Sequence, residues 1–277
     1  MIVLLDQRYF SLHPALQVVI ALAVLAVVGL WAYWKRQLTV SGLITAVLMG
    51  LATTLSGGFS ALSLYLFFLI SAAVIGKLSK KVRGLDKIHK KGGRRDWAQV
   101  MANGFPALIA IVCFRFYPSA LFPAVFSACL GEACSDTWAS EIGVLSRKPP
   151  VSILTFTKVS AGLSGGVSAL GTGAALLSSL LYGMFAFSCF RLSDPGLCFA
   201  VIISSFAGVM IDSLLGATVQ AHYYNEKEDL LTEHGKDKEG RPLPLKRGLR
   251  FMDNDMVNFA SNVSSFLLCL SLGALFV

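Results

Sequence analysis

Five acidic residues lie in or at the ends of apolar runs that a membrane would enclose: Glu132, Asp136, Glu141, Asp212 and Asp255. Placing a charge there costs ~2.5–3.5 kcal/mol on insertion scales, so each marks a candidate functional position. Their neighbours are oxygen donors. Ser135, Thr137 and Ser140 surround Asp136, Ser213 and Thr218 follow Asp212, and Asn254 and Asn258 flank Asp255. Carboxylates with amide and hydroxyl oxygens suit Mg²⁺, which prefers oxygen ligands. A second constellation, Arg95, Gln99 and Asn103, repeats every four residues and aligns on one helical face. A third runs from Lys158 to Gly165 and Gly166. Paired glycines at a helix mouth expose backbone N–H groups and let an anion approach. Carboxylates for metal, a glycine mouth and basic side chains together describe phosphoryl chemistry.

The histidines argue in the same direction by their placement. His13, His89, His222 and His234 all fall outside these clusters, and no Ser/His/Asp or Cys/His constellation forms. A phosphate monoester as acceptor needs no base, because its second pKa of ~6 leaves it mostly dianionic at neutral pH. Catalysis is then positioning plus charge neutralisation. Simpler roles compete at single positions. Gly171, Gly173 and Gly216 suit helix packing, and Asp253 or Asn254 suits an N-cap. Nine basic residues between Lys77 and Arg95 fit either attraction to anionic lipid or a landing strip for a polyphosphate, with Lys90, Lys91 and Arg94 as candidates.

The elements that must carry these residues are membrane helices. Of 277 residues, 55% are hydrophobic and only 14% charged, with a mean hydropathy of +0.67. A soluble domain carries about 25% charged residues, so a water-soluble globule is excluded, and disorder with it. Apolar stretches run over about 16–34, 40–55, 59–78, 100–114, 121–134, 164–187, 196–218 and 255–276. They predict an all-α integral membrane protein, a single domain over 1–277 of about eight transmembrane helices. No cleavable signal precedes them. If the connections alternate sides, one side holds 21 of the 24 basic residues and the other only Arg8, Arg115 and Arg191. The positive-inside rule then places loops of about 77–95, 142–160 and 221–253 in the cytoplasm and both termini outside. All five acids fall toward the cytoplasmic ends. The loop from Glu226 to Arg250 reads as a solvated, mobile segment able to act as a lid. The six cysteines show no pairing pattern and predict neither a disulfide framework nor a zinc site.

Five motifs occur in order: Arg95-Asp96 with Gln99 and Ala102-Asn103-Gly104, then 135–143 (SDTWASEIG), 162–168 (GLSGGVS), 212–220 (DSLLGATVQ) and Asn254-Asp255 with Val257-Asn258. The set resembles the integral-membrane family labelled domain of unknown function 92, which includes the plant phytyl-phosphate kinase of the vitamin E pathway. The resemblance covers nearly the whole chain. It implies a membrane-embedded kinase that transfers a phosphoryl group from a nucleoside triphosphate, with CTP the expected donor, to a prenyl monophosphate (phytyl, geranylgeranyl or farnesyl phosphate). The family's motif positions map onto Arg95, Gln99, Asn103, Asp136, Thr137, Glu141, Lys158, Gly165, Gly166, Asp212, Asn254, Asp255 and Asn258. At 162–166 the family has a Gly-Thr-Asn-Gly-Gly-like stretch where this chain has Gly-Leu-Ser-Gly-Gly, so a backbone cradle carries over and the intervening side chains do not.

The resulting assignment gives Mg²⁺ to Asp136, Glu141, Asp212 and Asp255. It gives phosphate and nucleotide contacts to Gly165, Gly166, Gln99, Asn103, Thr137, Asn254 and Asn258, and charge neutralisation to Lys158 and Arg95. Prenyl lipid, nucleotide and membrane lipids are the expected partners, with no nucleic acid, and an oligomer is compatible. The site is expected to face the cytoplasm, across the plasma membrane in a bacterium. Two alternatives use the same residues: a CTP-dependent cytidylyltransferase acting on a lipid phosphate, and a cation-coupled transporter whose acids line a pathway.

Overall fold

The computed structural model describes residues 2–80, 94–192 and 194–277, a helical bundle with two small sheets. The helices are α1 (Ile2–Phe10), α2 (Pro14–Trp34), α3 (Val40–Lys80), α4 (Trp97–Phe116), α5 (Leu121–Gly143), α6 (Ala169–Phe190), α7 (Pro195–Thr218) and α8 (Asn254–Gly273), with a closing 3₁₀ turn at Ala274–Phe276. Six of them are long and apolar enough to cross a membrane: α2, α3, α4, α6, α7 and α8.

Local signals set the helix starts. Asp96, Ser168, Asp194 and Asp253 each cap a helix by accepting a backbone N–H one or two residues into the first turn. Pro14 and Pro195 open α2 and α7, where the missing N–H has no partner to lose.

As a straight rod, α3 would run about 60 Å, twice the hydrocarbon thickness. It is instead a hairpin. Gly58 has φ 67° and ψ −160°, a backbone conformation open to glycine. The Asp6 carboxylate of α1 accepts from the Phe59 and Ser60 amides and the Ser60 hydroxyl, so a different segment caps the second half. The same Ser60 hydroxyl oxygen lies 2.9 Å from the Cys189 carbonyl near the end of α6. Both outer ends of α3 lie at the opposite pole, Gly42 against the Arg95 carbonyl and Ser79 bonded to Glu141.

The connections 35–39, 94–96, 144–168 and 219–253 therefore share one end of the bundle. The turns 11–13 and 117–120, with residues 191, 192 and 194, share the other. All the basic residues assigned to the cytoplasm that the structure describes sit at the first end.

At the centre, α5 packs against α3, α4, α6, α7 and α8, and every residue from Pro123 to Ser135 is buried. A helix sheathed in protein needs no lipid-facing stripe, which is how α5 carries Glu132, Asp136 and Glu141. It also runs on as one helix to Gly143, past the expected end at Cys134. By contrast α2 leaves Leu16, Val19, Val27 and Leu30 exposed, as a lipid-facing helix should.

The all-α expectation needs amending in the loops. Strands β1 (Val151–Ser152) and β2 (Gly166–Val167) pair antiparallel. The segment after α7 folds into a three-stranded antiparallel sheet, with β3 (His222–Asn225) between β4 (Leu230–Thr232) and β5 (Leu245–Arg247). The sheet replaces the solvated lid expected from its charge. His222 and Asn225 are buried, as are Thr232 and Glu233, while most of the charges fall in the connections between strands. All six cysteines are free.

Candidate functional site

At the basic end of the bundle a polar cavity of about 470 Å³ opens among the ends of α5 and α7, the start of α8 and the 144–168 connection. Asp136, Asp212, Asn254, Gly165 and Gly166 line it, together with Ser140, Arg147 and Lys148. Residues 136, 140 and 143 recur at helical spacing, so one stripe of α5 forms the wall.

Asp212 is held from α8. Its Oδ2 accepts from the Ser261 hydroxyl at 3.1 Å. Asn258 donates its amide to the same oxygen at 3.1 Å and accepts from Asn254 at 3.2 Å, in the amide orientation that satisfies both. Ser261 also lies 2.8 Å from Glu132 Oε1, while Asn262 donates to Oε2 at 2.7 Å. Glu132, one turn before Asp136, thus sits behind the cavity and meets Ser261, which also bonds Asp212. Gly208 makes this possible, since a Cβ there would fall 2.6 Å from Glu132 Cγ. Ser261 and Asn262 were not picked out by spacing. Their signal was present, because Asn254, Asn258, Ser261, Asn262 and Ser265 form one polar stripe on an otherwise apolar helix.

The glycine turn has a structural logic of its own. Gly162 and Gly165 have φ of 86° and 84°, and a Cβ on Gly165 would lie 2.5 Å from the Ala217 backbone. The Gly166 N–H donates to the Leu163 carbonyl at 3.1 Å, which takes it out of the set of donors free to meet an anion. Ser168, not the glycine pair, caps α6. Ser164 is engaged by the loop sheet. Its hydroxyl donates to Glu233 of the sheet connection and accepts from Gln220 at 3.1 Å. The loop sheet therefore clasps the turn that walls the cavity. Within it His222 is buried, and burial, with Arg247 beside it, holds its pKa below 6.5.

A second group gathers on another face of α5. Arg95 donates to the Thr137 hydroxyl at 3.5 Å, and its guanidinium carbon lies 4.9 Å from the Phe68 ring centroid. Its backbone is pinned to the 37–39 link, with N–H to Gln37 at 2.8 Å and carbonyl to Thr39 at 3.0 Å. Asn103 donates to the Gln99 carbonyl at 2.9 Å, and the Gln99 side-chain oxygen is buried with no hydrogen-bond partner. Arg95, Gln99 and Asn103 line a separate apolar cavity of about 130 Å³ between α2, α3 and α4.

Glu141, bonded to Ser79, belongs to this second face and not to the polar cavity. Asp255 stands in the first turn of α8 and is absent from the lining. Lys158 is exposed on the 153–158 turn, pairing through its backbone with Val151, while Arg147 and Lys148 supply the cations at the cavity. Arg94 is exposed, and Lys90 and Lys91 lie outside the described residues.

Among the described residues no group of three or more His, Cys, Asp or Glu is close enough to hold a metal unaided. Two carboxylates on a wet cavity fit Mg²⁺ nonetheless, since that ion binds through one or two carboxylates, waters and substrate phosphates. Asp212 Oδ1 receives no bond from a described residue and so remains open to a ligand.

Known proteins match along most of the chain. It is 31% identical to Protein PGR of Arabidopsis thaliana over 278 aligned residues, covering 90% of this chain and 93% of that protein. It is 31% identical to the uncharacterized membrane protein MJ0933 of Methanocaldococcus jannaschii, across 75% of this chain and 85% of the relative. Identity to Protein VTE6, chloroplastic, of Arabidopsis thaliana is 26%, across 80% of this chain and 61% of that one. No solved structure matches significantly. The profile described as "Integral membrane protein DUF92" matches residues 23–266, from within α2 to within α8 and across both cavities, and the chain belongs to that family.

Proposed function

We propose that the protein is a membrane-embedded prenyl-phosphate kinase that uses a nucleoside triphosphate, CTP in the first instance, and Mg²⁺. The observation that carries this reading is the meeting of Asp136 and Asp212, from two different helices, on one polar cavity rimmed by Arg147 and Lys148. Likeness to the VTE6 protein along most of the chain supports a kinase-type enzyme. The two halves of α3, with α2 and α4 to α8, make eight crossings. The basic end faces the cytoplasm by the positive-inside rule, with both termini outside.

In the transfer, an oxygen of the acceptor phosphate forms a new bond to the γ-phosphorus. The bond from that phosphorus to the β,γ-bridging oxygen breaks, and nucleoside diphosphate leaves with the electron pair. No proton has to be removed from a dianionic acceptor, consistent with a cavity that His222 does not line. Asp136 and Asp212 would hold Mg²⁺, which when bound neutralises charge on the donor phosphates. Asn258 and Ser261 keep Asp212 aimed, and Arg147 and Lys148 draw the polyphosphate in. Arg95 neutralises charge on the acceptor side.

Incubating the detergent-purified protein with Mg²⁺, each common nucleoside triphosphate and a panel of prenyl monophosphates tests the reading. The expected products are a prenyl diphosphate and a nucleoside diphosphate, lost in Asp136→Asn and Asp212→Asn proteins that still fold. Release of pyrophosphate with a nucleotidyl-lipid product would make it a cytidylyltransferase. Full turnover in either variant would overturn the assignment.

A further inference from the structure

We infer that the acceptor lipid lies in the apolar cavity between α2, α3 and α4 with its phosphate against Arg95, so that donor and acceptor approach the transfer point from different faces of α5. The identity of the lipid rests on the kinase reading. The existence of an amphiphile site there does not.

The cavity has two unlike ends. Leu38, Phe68 and the Arg95–Gln99 turn mark the end at the basic pole of the bundle, while Leu25, Gly50 and Leu62 mark the inner end. From Ala32 to Leu25 along α2 the depth is about 10 Å. The floor is tight, because a Cβ on Gly50 would fall 2.6 Å from Leu25. The polar side chains of the lining run down α4 from the upper end, with Arg95 and Gln99 near the top and Asn103 deeper, close to the Tyr65 hydroxyl that bonds the Gly104 carbonyl.

The head of the cavity also has capacity left over. Among the described residues the Arg95 guanidinium touches a hydroxyl and a ring face and makes no ion pair, the Glu141 and Asp136 carboxylates acting on it only from beyond contact. A half-buried cation of this kind favours an anion, and a guanidinium matches phosphate geometry. The buried Gln99 oxygen without a partner lies beside it. An apolar slot topped by a cation suits a molecule with a phosphate head and a hydrocarbon tail, and the Gln99 oxygen, an acceptor, adds nothing toward a dianion. The geometry joins the two halves of a reaction: Thr137, which Arg95 touches, is adjacent in the chain to Asp136 on the polar cavity.

The test is a prenyl monophosphate carrying a photoreactive group on its tail, added to the full-length protein in detergent without nucleotide. Label is expected on residues 25–32, 46–50 or 62–69, displaced by unlabelled prenyl monophosphate and at least tenfold less well by prenyl alcohol or by phosphatidylglycerol. Ala46→Phe, which fills the slot, should raise the lipid KM at least tenfold while leaving the nucleotide KM unchanged. Label on α6, α7 or α8, or equal displacement by phosphatidylglycerol, would overturn the site. If the wild-type protein takes label here yet forms no diphosphate with any nucleotide, the kinase reading falls and the amphiphile site stands. If it turns over yet takes label elsewhere, the reverse holds.

Discussion

The two flanks of α5 are built from opposite materials. On one, Asp136 and Ser140 face a wet cavity closed by a folded loop, with Asp212 braced through Ser261 and Asn258. On the other, Thr137 meets Arg95 above a dry slot between α2, α3 and α4. One residue step along a helix turns the side chain by 100°, enough to move it from one chemistry to the other. The difference teaches why the most polar helix of the bundle is also its most enclosed. Only a helix surrounded by protein can present acids on one face and a cation contact on the next, since neither face has to meet lipid.

The comparison can be broken in several ways. Asp212→Asn has the largest expected effect, a fall of ~10²–10³ in kcat with photolabelling by the lipid intact. A loss confined to lipid binding would erase the division between the flanks. Arg95→Gln should act in the opposite sense, raising the lipid KM by roughly tenfold or more, as for a lost charge-assisted hydrogen bond, with the nucleotide KM preserved. Glu132→Leu removes one acceptor from Asn262, which keeps the Cys129 carbonyl, and leaves Ser261 to Asp212 alone, at about 1–3 kcal/mol for the buried N–H left unsatisfied. A lowered melting temperature in detergent is expected, with Glu132→Gln milder. Asp6→Ala, at the far pole, should cost about 1 kcal/mol as a lost cap and leave both KM values alone.

The smallest effect is a pH dependence. The pKa of His222 is depressed in the fold, so it stays neutral there while the unfolded chain takes up a proton below 6.5. Its contribution is complete above that value and fades as the pH falls through it. Melting temperature should therefore drop more on acidification in the wild type than in His222→Gln.

Much of the frame was legible in the sequence. Ser56-Gly57-Gly58 interrupts an apolar run, and the break between the second and third expected stretches falls at the Gly58 reversal. Asp136, Asp212, Gly165 and Asn254 were singled out from four separate segments, and one cavity collects them. What escaped depended on where neighbouring elements pack. Glu141 follows Asp136 by five residues, and only a bend or helix end could have joined them. The helix continues to Gly143, so Glu141 turns away to Ser79. The loop sheet was hidden by its surface charge, since the inward-packed His222, Thr232 and Glu233 stand among residues that look solvated. Composition records how many charges a segment carries, not which way each points.

The reversal at Gly58 makes two distant positions answerable to each other. Gly58 leaves the amides of the next helix open, Asp6 meets them, and a Cβ at 58 would lie 2.3 Å from the Asp6 carboxylate. Neither residue can vary alone without stranding or striking the other, so across relatives of this chain the pair should be kept or lost together. In folding, too, the second half of α3 cannot complete its cap until the nine-residue α1 has docked beneath it, which makes that short helix a late-acting clasp.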